Sequence, residues 1–272
     1  MIENYIESNK AAWEEAFEKR KPNWGDDNHL RLKSAKFAFL DENLKKEFEN
    51  LDLAGKTVAQ FCCNNGRELL SIMDSGATTG IGFDIAENII QQARETAAKA
   101  GIKNCTFVTC NILDITEFYH DQFDLVLFTI GAITWFKDLN LLFNKTAKCL
   151  KAGGLLLIHD FHPMINMLPL PGEDDFEDGL TAGNVKKIAH SYFRKEPWIE
   201  NHGMRYMTTD YESKIFISFS HTLSDIINAL SASGIKTVKF NEYDYDIGLT
   251  DVYDKTGFPL SCILIAEKCR LC

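Results

Sequence analysis

Between residues 57 and 84 the chain contains an apolar segment, a tight polar turn, a short helical pattern and a second apolar segment that ends in an acid. Short apolar runs bounded by turns are typical of buried strands. The turn, residues 62–66, leads into helical spacing over 67–74, and Asp84 closes the second strand. This order predicts a nucleotide-binding βαβ unit. In such a unit the turn and the helix N-terminus approach a polar ligand, and an acid roughly 20 residues on accepts hydrogen bonds from a ribose diol.

Beyond this unit, further apolar runs alternate with helical patterns along the chain. Continuous apolar strands separated by helices indicate a parallel sheet that is covered by helices on both faces. Another helix, which opens at a capping-box pattern over 222–225, precedes the last two strands. The strands predicted after Asp84 lie at 105–110, 123–128, 155–161, 236–243 and 261–267.

Two segments fall outside this alternation. Helical spacing over 4–20 and 30–49 precedes the first strand, so these helices are expected to pack outside the sheet, at an edge or as a lid. The stretch 162–215 holds four of the six prolines together with clustered acids and aromatics, and so long an insertion is usually functional. We predict an N-terminal helical cap, residues 1–50, and a main domain, residues 51–272, with a cap insertion at about 162–215.

Charge and cysteine usage narrow the class of protein. The net charge of -10 and the pI near 5.2 argue against an extended nucleic-acid face. No apolar run is long enough to cross a bilayer, and the acidic N-terminus does not fit a signal peptide, so a cytoplasmic protein without a membrane partner is expected. Most of the eight cysteines lie in or beside apolar runs, as reduced structural thiols do. The C-x-x-C at 269–272 has no partner pair, whereas zinc takes about four ligands, so no metal site is expected.

The ordered set of turn, acid, Asn111, fourth strand and the Gly-Gly at 153–154 resembles the class I S-adenosylmethionine-dependent methyltransferases. The resemblance covers about residues 55–160 and, more loosely, 216–268. It implies an α/β, Rossmann-like fold: a seven-stranded, mostly parallel sheet with an antiparallel C-terminal hairpin and helices on both faces. It also implies an enzyme that uses S-adenosyl-L-methionine as cofactor and transfers its methyl group.

The resemblance assigns cofactor contacts to particular positions. The family's first motif is an acid followed by three alternating glycines, and here only the last glycine is kept. Asn tolerates positive φ better than other non-glycine residues, so the turn can still form. Asp84 would bind the ribose, although it could equally cap the next helix, and Asn111 would approach the adenine, although Asn is also an ordinary turn residue. The full set implied is Gln60, Cys62, Asn64, Gly66, Asp84, Ile85, Asn111, Ile112 and Thr129.

The sequence motifs identify less clearly the residues that would bind the methyl acceptor or accept its proton. His159 and His162 are candidates for a general base, but His159 and Asp160 should point to opposite faces of an extended strand. Trp13, Trp135 and Trp198 could wall an apolar acceptor or a sulfonium, because aromatic faces attract cations. No Asp/Asn-Pro-Pro-Tyr follows the fourth strand, which argues against the amino-directed nucleic-acid branch of the family. A small-molecule acceptor beneath the two caps is the expected partner.

Two alternatives remain open from the sequence. An NAD-dependent oxidoreductase shares the order of strand, turn and acid, but the turn lacks G-x-G-x-x-G and a terminal hairpin fits that class poorly. A non-catalytic S-adenosylmethionine-binding protein would fit the loss of two glycines from the turn. The sequence decides neither the identity of the acceptor nor the oligomeric state.

Overall fold

The computed structural model describes residues 4–73, 75–170, 173, 176, 188–248, 252–255 and 257–270. The helices of this described part are α1 (Tyr5–Glu18), α2 (Asn28–Ser34), α3 (Glu42–Asn50), α4 (Arg67–Met73), α5 (Glu87–Ala100), α6 (Leu139–Cys149) and α7 (Leu223–Ala232). Its strands are β1 (Thr57–Phe61), β2 (Thr79–Asp84), β3 (Cys105–Thr109), β4 (Phe123–Thr129), β5 (Leu150–Phe161), β6 (Trp198–Glu200), β7 (Phe216–Ser218), β8 (Ile235–Tyr243) and β9 (Ser261–Lys268).

Seven of these strands form one sheet in the order β3-β2-β1-β4-β5-β9-β8. Strands β1 to β5 pair in parallel, whereas β9 runs antiparallel to both β5 and β8. The predicted seven-stranded, mostly parallel sheet with an antiparallel C-terminal hairpin is therefore confirmed. The strand order reverses between β1 and β4. In open α/β sheets a ligand crevice forms outside the carboxyl ends of the strands at such a point.

The two faces of the sheet carry separate apolar cores, because successive side chains of a strand point to opposite sides. In β4, Leu125 and Leu127 pack into the core that includes α3, α4 and α5. Val126 and Phe128 pack into the core that includes α6 and α7. Full burial of such a side chain stabilises the fold by about 1.5–3 kcal/mol. Because both faces of β4 are buried, its sequence is apolar at nearly every position.

An aromatic cluster joins neighbouring strands close to their carboxyl ends. The ring of Phe61 on β1 meets Phe83 on β2 with centroids 5.4 Å apart and Phe128 on β4 with centroids 5.6 Å apart, edge to face in both cases. Pairs of this kind contribute about 0.5–1.5 kcal/mol each beyond their burial. The cluster makes a rigid base for the loops that leave these strands.

Helix α1 lies over the carboxyl-end side of the fold and is tied to β7. The side chain of Asn9 donates to the carbonyl of Ile217 at 2.8 Å and accepts from its N–H at 2.7 Å. This buried amide pairs with β7 as a neighbouring strand residue would. It satisfies both backbone groups of Ile217 and fixes the helix on the insertion that follows β5.

The other N-terminal helices take a different place. In α3, Leu44 and Phe48 are buried in the core shared with α4 and α5, so α3 belongs to a helical layer of the sheet. Asp41 caps α3 by accepting from Asn43 N and Leu44 N. The division into a 1–50 cap and a 51–272 domain stays a proposal, and only α1 of these three helices contributes side chains to the cavity described below.

The insertion after β5 contains a small second sheet in which β6 pairs with β7 in antiparallel fashion. Residues 171–172, 174–175 and 177–187, with most of the acidic cluster, lie outside the described residues.

Candidate functional site

The turn after β1 requires a left-handed backbone at every second residue. The φ angles of Cys62, Asn64 and Gly66 are 54°, 49° and 71°. A side chain at Gly66 would also collide with the ring of Phe107. Cys62 and Asn64 adopt the same geometry at a cost of roughly 1–2 kcal/mol for a residue with a Cβ, less for Asn. The turn therefore forms although two of its three left-handed positions are not glycine.

Asp84 ties this turn to the start of α5. Its Oδ2 accepts from Asn64 N at 2.8 Å and its Oδ1 accepts from Ala86 N at 3.1 Å. Burial raises the pKa of this carboxyl, and the backbone N–H groups of Ala86, Asn64 and Ile85 oppose the rise. A carboxylate has about four lone-pair sites, so this side chain can still accept a hydrogen bond from a vicinal diol.

A cavity of about 610 Å³ opens at the carboxyl ends of β1, β2, β4 and β5. We call two parts of its wall the polar end, formed by Cys62, Asn64, Asp84 and Asn111, and the aromatic chamber, formed by Trp13, Trp135, Trp198, Phe219 and His221. The structure brings most of the proposed site residues to this cavity. Those lining it are Cys62, Asn64, Asp84, Ile85, Asn111, Ile112, Thr129, Trp13, Trp135 and Trp198.

Two proposed cofactor residues do not line the cavity. Gly66 lies against Phe107 in the turn. Gln60 is fully buried, donates to Thr129 Oγ1 at 2.8 Å and accepts from Leu69 N at 3.0 Å. Gln60 thus links β1, β4 and α4 beneath the turn, so its observed contacts are structural.

The candidate bases, His159 on β5 and His162 just after it, also do not line the cavity. His159 Nε2 is 2.8 Å from Asp41 Oδ2, and His162 Nε2 is 2.9 Å from Glu242 Oε1. Burial lowers the pKa of His162, while Glu242 opposes this effect. Neither histidine lines the cavity, and both side chains are buried beside their acidic partners, Asp41 before α3 and Glu242 on β8. Their role as general bases is not supported by this geometry.

Asp160 occupies the cavity in their place, as expected for the residue that follows His159 on an extended strand. Its carboxylate accepts from the N–H groups of Gly131, Phe161 and Ile133 and so holds the loop after β4. Burial raises the pKa of this carboxyl, and the three N–H groups oppose the rise. Asp160 could have been predicted as a site residue from the sequence, because it stands near the carboxyl end of a predicted parallel strand. The carboxyl ends of such strands meet at one edge of the sheet, where ligands bind.

Asn111 follows β3 at the polar end. Its Oδ1 accepts from Leu113 N at 3.1 Å, and its Nδ2 donates to Asp114 Oδ2 at 2.8 Å. The side chain therefore makes the expected turn contacts. A second lone pair on Oδ1 leaves one acceptor for a ligand amino group.

The aromatic chamber is built by three separate segments. Trp13 of α1 meets Trp135 of the loop after β4 with ring centroids 5.4 Å apart, and Phe216 of β7 at 5.5 Å. The insertion supplies Trp198, whose indole Nε1 donates to Ser220 Oγ at 2.8 Å. These contacts hold aromatic faces around a space that is continuous with the polar end.

The residues present fit an adenosyl group with a sulfonium side chain. Asp84 offers a carboxylate acceptor for a diol, Asn111 offers one acceptor, and the aromatic chamber suits a positively charged sulfur. In the described ranges, no group of three or more His, Cys, Asp or Glu side chains is arranged to hold a metal ion. Cys272 of the C-x-x-C lies outside those ranges. None of the described helices combines the length and the hydropathy of a membrane span.

Comparison with known proteins also relates this chain to methyltransferases. The chain is 26% identical over 168 residues to a ribosomal protein L11 methyltransferase from Erwinia tasmaniensis, a match that spans 58% of this chain and 48% of that relative. The chain therefore spans about half the length of the curated relatives it matches.

Two solved structures share the fold. An S-adenosylmethionine-dependent methyltransferase from Mesorhizobium loti has a TM-score of 0.62 at 19% identity, covering 87% of this chain and 99% of its own. A geranyl diphosphate C-methyltransferase from Streptomyces coelicolor, in complex with Mg²⁺, geranyl diphosphate and S-adenosyl-L-homocysteine, has a TM-score of 0.53 at 14% identity, covering 84% and 79%. A family model described as a methyltransferase domain matches residues 53–210. The chain belongs to this methyltransferase domain family and has the fold of the class I S-adenosylmethionine-dependent enzymes.

Proposed function

We propose that the protein transfers the methyl group of S-adenosylmethionine to a small-molecule acceptor held in the aromatic chamber. The observation that carries this proposal is the single cavity that joins Asp84 and Asn111 to a chamber covered by α1 and the insertion after β5. Its volume of about 610 Å³ falls within the roughly 300–1,000 Å³ of small-ligand pockets.

Within this proposal, the chain's own residues bind and orient. Asp84 accepts hydrogen bonds from the ribose hydroxyls, and Asn111 Oδ1 accepts from the adenine amino group, next to Ile112. Thr129 and the loop after it, held by Asp160, form the floor beneath the methionine portion. When bound, the cofactor supplies a methyl group activated by its positive sulfur. Alignment of acceptor and methyl group can account for much of the acceleration of such a displacement.

A protein acceptor is the second candidate, because the curated relatives named above are methyltransferases of a ribosomal protein. The covered chamber favours the small acceptor. A side chain of a protein acceptor would have to pass between the segments that carry Trp13 and Trp198 to reach the chamber. One of these segments, α1, is held in place because the Asn9 amide is hydrogen-bonded to β7. The oxidoreductase alternative is disfavoured by the family match and by the antiparallel β9.

The test is transfer of an isotope-labelled methyl group from S-adenosylmethionine. Purified protein is incubated with a panel of small hydroxyl, amine, thiol and carbon acceptors, and in parallel with ribosomal protein L11. We expect label in one or more small compounds and none in the ribosomal protein. Label in the ribosomal protein alone would contradict the small-molecule proposal. Binding of the cofactor without transfer to any acceptor would favour the non-catalytic alternative.

A further inference from the structure

His221 is a cavity-lining histidine whose tautomer is fixed by the fold. It directly precedes Thr222, the N-cap of α7, and the segment before it pairs with the loop after β4. Phe219 N donates to the carbonyl of Thr134 at 2.8 Å, and Thr134 Oγ1 donates to the carbonyl of Phe219 at 2.9 Å. His221 Nε2 lies 2.9 Å from the carbonyl oxygen of Phe136.

The Phe136 carbonyl determines which ring nitrogen of His221 carries hydrogen. A carbonyl oxygen can only accept, so Nε2 must be the N–H donor and Nδ1 keeps the lone pair in the neutral ring. Nδ1 has no hydrogen-bond partner among the residues the structure describes, and the side chain lines the cavity. In its neutral form the ring therefore presents a nitrogen lone pair for which no described residue supplies a competing donor.

The surroundings of His221 favour the neutral form of the ring. Burial lowers its pKa, and Lys195 acts in the same direction. The Phe136 carbonyl and Asp225 oppose this effect. Lys195 and Asp225 lie 3.4 Å apart, so their charges largely offset each other at the ring.

We propose that His221 Nδ1 is the general base of the methyl transfer, and that the acceptor is a small aromatic or apolar compound with a phenol-like hydroxyl group. This inference rests on the function proposed above. A neutral hydroxyl enters the chamber of Trp135, Trp198 and Phe219 without bringing a charge into apolar surroundings. A protonated amine would lack the attacking lone pair and would be repelled by the sulfonium.

The acceptor oxygen forms a bond to the methyl carbon while the carbon–sulfur bond breaks and its electron pair stays on sulfur. The acceptor's hydroxyl proton moves to His221 Nδ1, which becomes an imidazolium still bonded to the Phe136 carbonyl. The products are the methyl ether and S-adenosylhomocysteine, and the proton is then released to water.

The first test reads the imidazole directly and needs no acceptor. Protein labelled with ¹⁵N at histidine is studied by two-dimensional NMR across a pH titration, and the His221 signals are assigned by their loss in His221→Gln. We expect the Nε2–H tautomer near neutral pH and a pKa below 6.5, the ordinary value for histidine. The Nδ1–H tautomer, or an imidazolium at neutral pH, would overturn the proposal.

The second test uses His221→Gln, because the glutamine amide can still donate to the Phe136 carbonyl but supplies no base. With a panel of phenols as acceptors, we expect kcat/KM to fall roughly 10²- to 10⁴-fold and the acid limb of the wild-type pH profile to disappear. His120→Asn, outside the cavity, is the control and should match the wild type.

Calorimetry with S-adenosylhomocysteine tests the proposed methyltransferase function separately from the role of His221. Equal binding by wild type and His221→Gln, with the activity loss, supports the role of His221. Equal binding and equal activity overturns that role alone. Transfer by the wild type only to amines overturns the hydroxyl acceptor. A wild-type protein that binds no S-adenosylhomocysteine contradicts the proposed function itself.

Discussion

The backbone N–H of Asn64 donates to Asp84 Oδ2 at 2.8 Å, so the acid that ends β2 is bonded to the turn that follows β1. This bond couples the two parts of the predicted βαβ unit. It places the carboxylate at the polar end of the cavity. Changes at either residue should therefore affect both the stability of the turn and the affinity for the cofactor.

Replacing Asp84 with Asn should weaken cofactor binding. One acceptor oxygen is lost, and hydrogen bonds to a charged group contribute about 1.5–3 kcal/mol each. We expect the thermal stabilisation by S-adenosylhomocysteine to fall by an amount that corresponds to a roughly 10- to 100-fold loss of affinity. Asp52→Asn is a matched control, since Asp52 also accepts a backbone N–H, from Ala54, outside the cavity. Unchanged stabilisation in Asp84→Asn would contradict the assignment.

A β-branched residue at position 62 should destabilise the turn. Cys62 has a φ of 54°, and β-branched side chains are rarely found in this region. We expect Cys62→Val to lower the free energy of unfolding in urea by about 1–3 kcal/mol. Cys62→Gly should stay within about 1 kcal/mol of the wild type, because glycine adopts this φ freely but loses more entropy on folding.

Cys105→Val is the control for Cys62→Val, because it makes the same substitution at a position with an extended backbone. Cys105 opens strand β3, where an extended backbone favours valine. A loss in Cys105→Val as large as that in Cys62→Val would indicate that side-chain packing, and not the left-handed backbone, causes the effect.

Gln60 should matter for stability more than for direct cofactor contact. Gln60→Leu leaves Leu69 N without its buried acceptor and Thr129 Oγ1 without its donor. An unsatisfied buried group costs about 1–3 kcal/mol, so the urea midpoint should fall clearly. The affinity of the folded protein for S-adenosylhomocysteine, measured by calorimetry, should change only a few-fold. A loss of affinity as large as in Asp84→Asn would mean that Gln60 contacts the ligand.

Mild acid should destabilise the protein through its buried histidines. Burial lowers the pKa of His162 and of His221 in the folded state, relative to the ordinary value of 6.5. Below that value the unfolded chain takes up protons that the folded state binds less readily, so the free energy of unfolding falls as the pH drops through the lowered pKa values. Urea unfolding between about pH 8 and about pH 5 should show this fall, with a smaller slope in His162→Asn. An unchanged slope would contradict it.

Local patterns were sufficient to predict the sheet and the polar end. Strands β4 and β9 at the centre of the sheet are mainly apolar runs, because both of their faces are buried. Asp84 ends β2, and Asn111 lies two residues after β3. The antiparallel pairing of β9 came from the family resemblance and is confirmed by its register with β5. These features depend on residues that are close in the sequence.

The rest of the site depends on contacts between distant segments. Nothing local shows that His159 meets Asp41, that Gln60 meets Thr129, or that Asn9 pairs with β7. His221 could not be found for the same reason, since its partner Phe136 is 85 residues earlier in the chain. Pattern and spacing predict which way a side chain points along its own strand, but not which element packs on that side.

We propose that this cavity holds the adenosyl cofactor of a methyltransferase. Calorimetric titration of the wild-type protein with S-adenosylhomocysteine, with NAD titrated in parallel, measures this binding. We predict one binding site per chain for S-adenosylhomocysteine and no measurable binding of NAD. Absence of S-adenosylhomocysteine binding, or tighter binding of NAD, would contradict the proposed cofactor site.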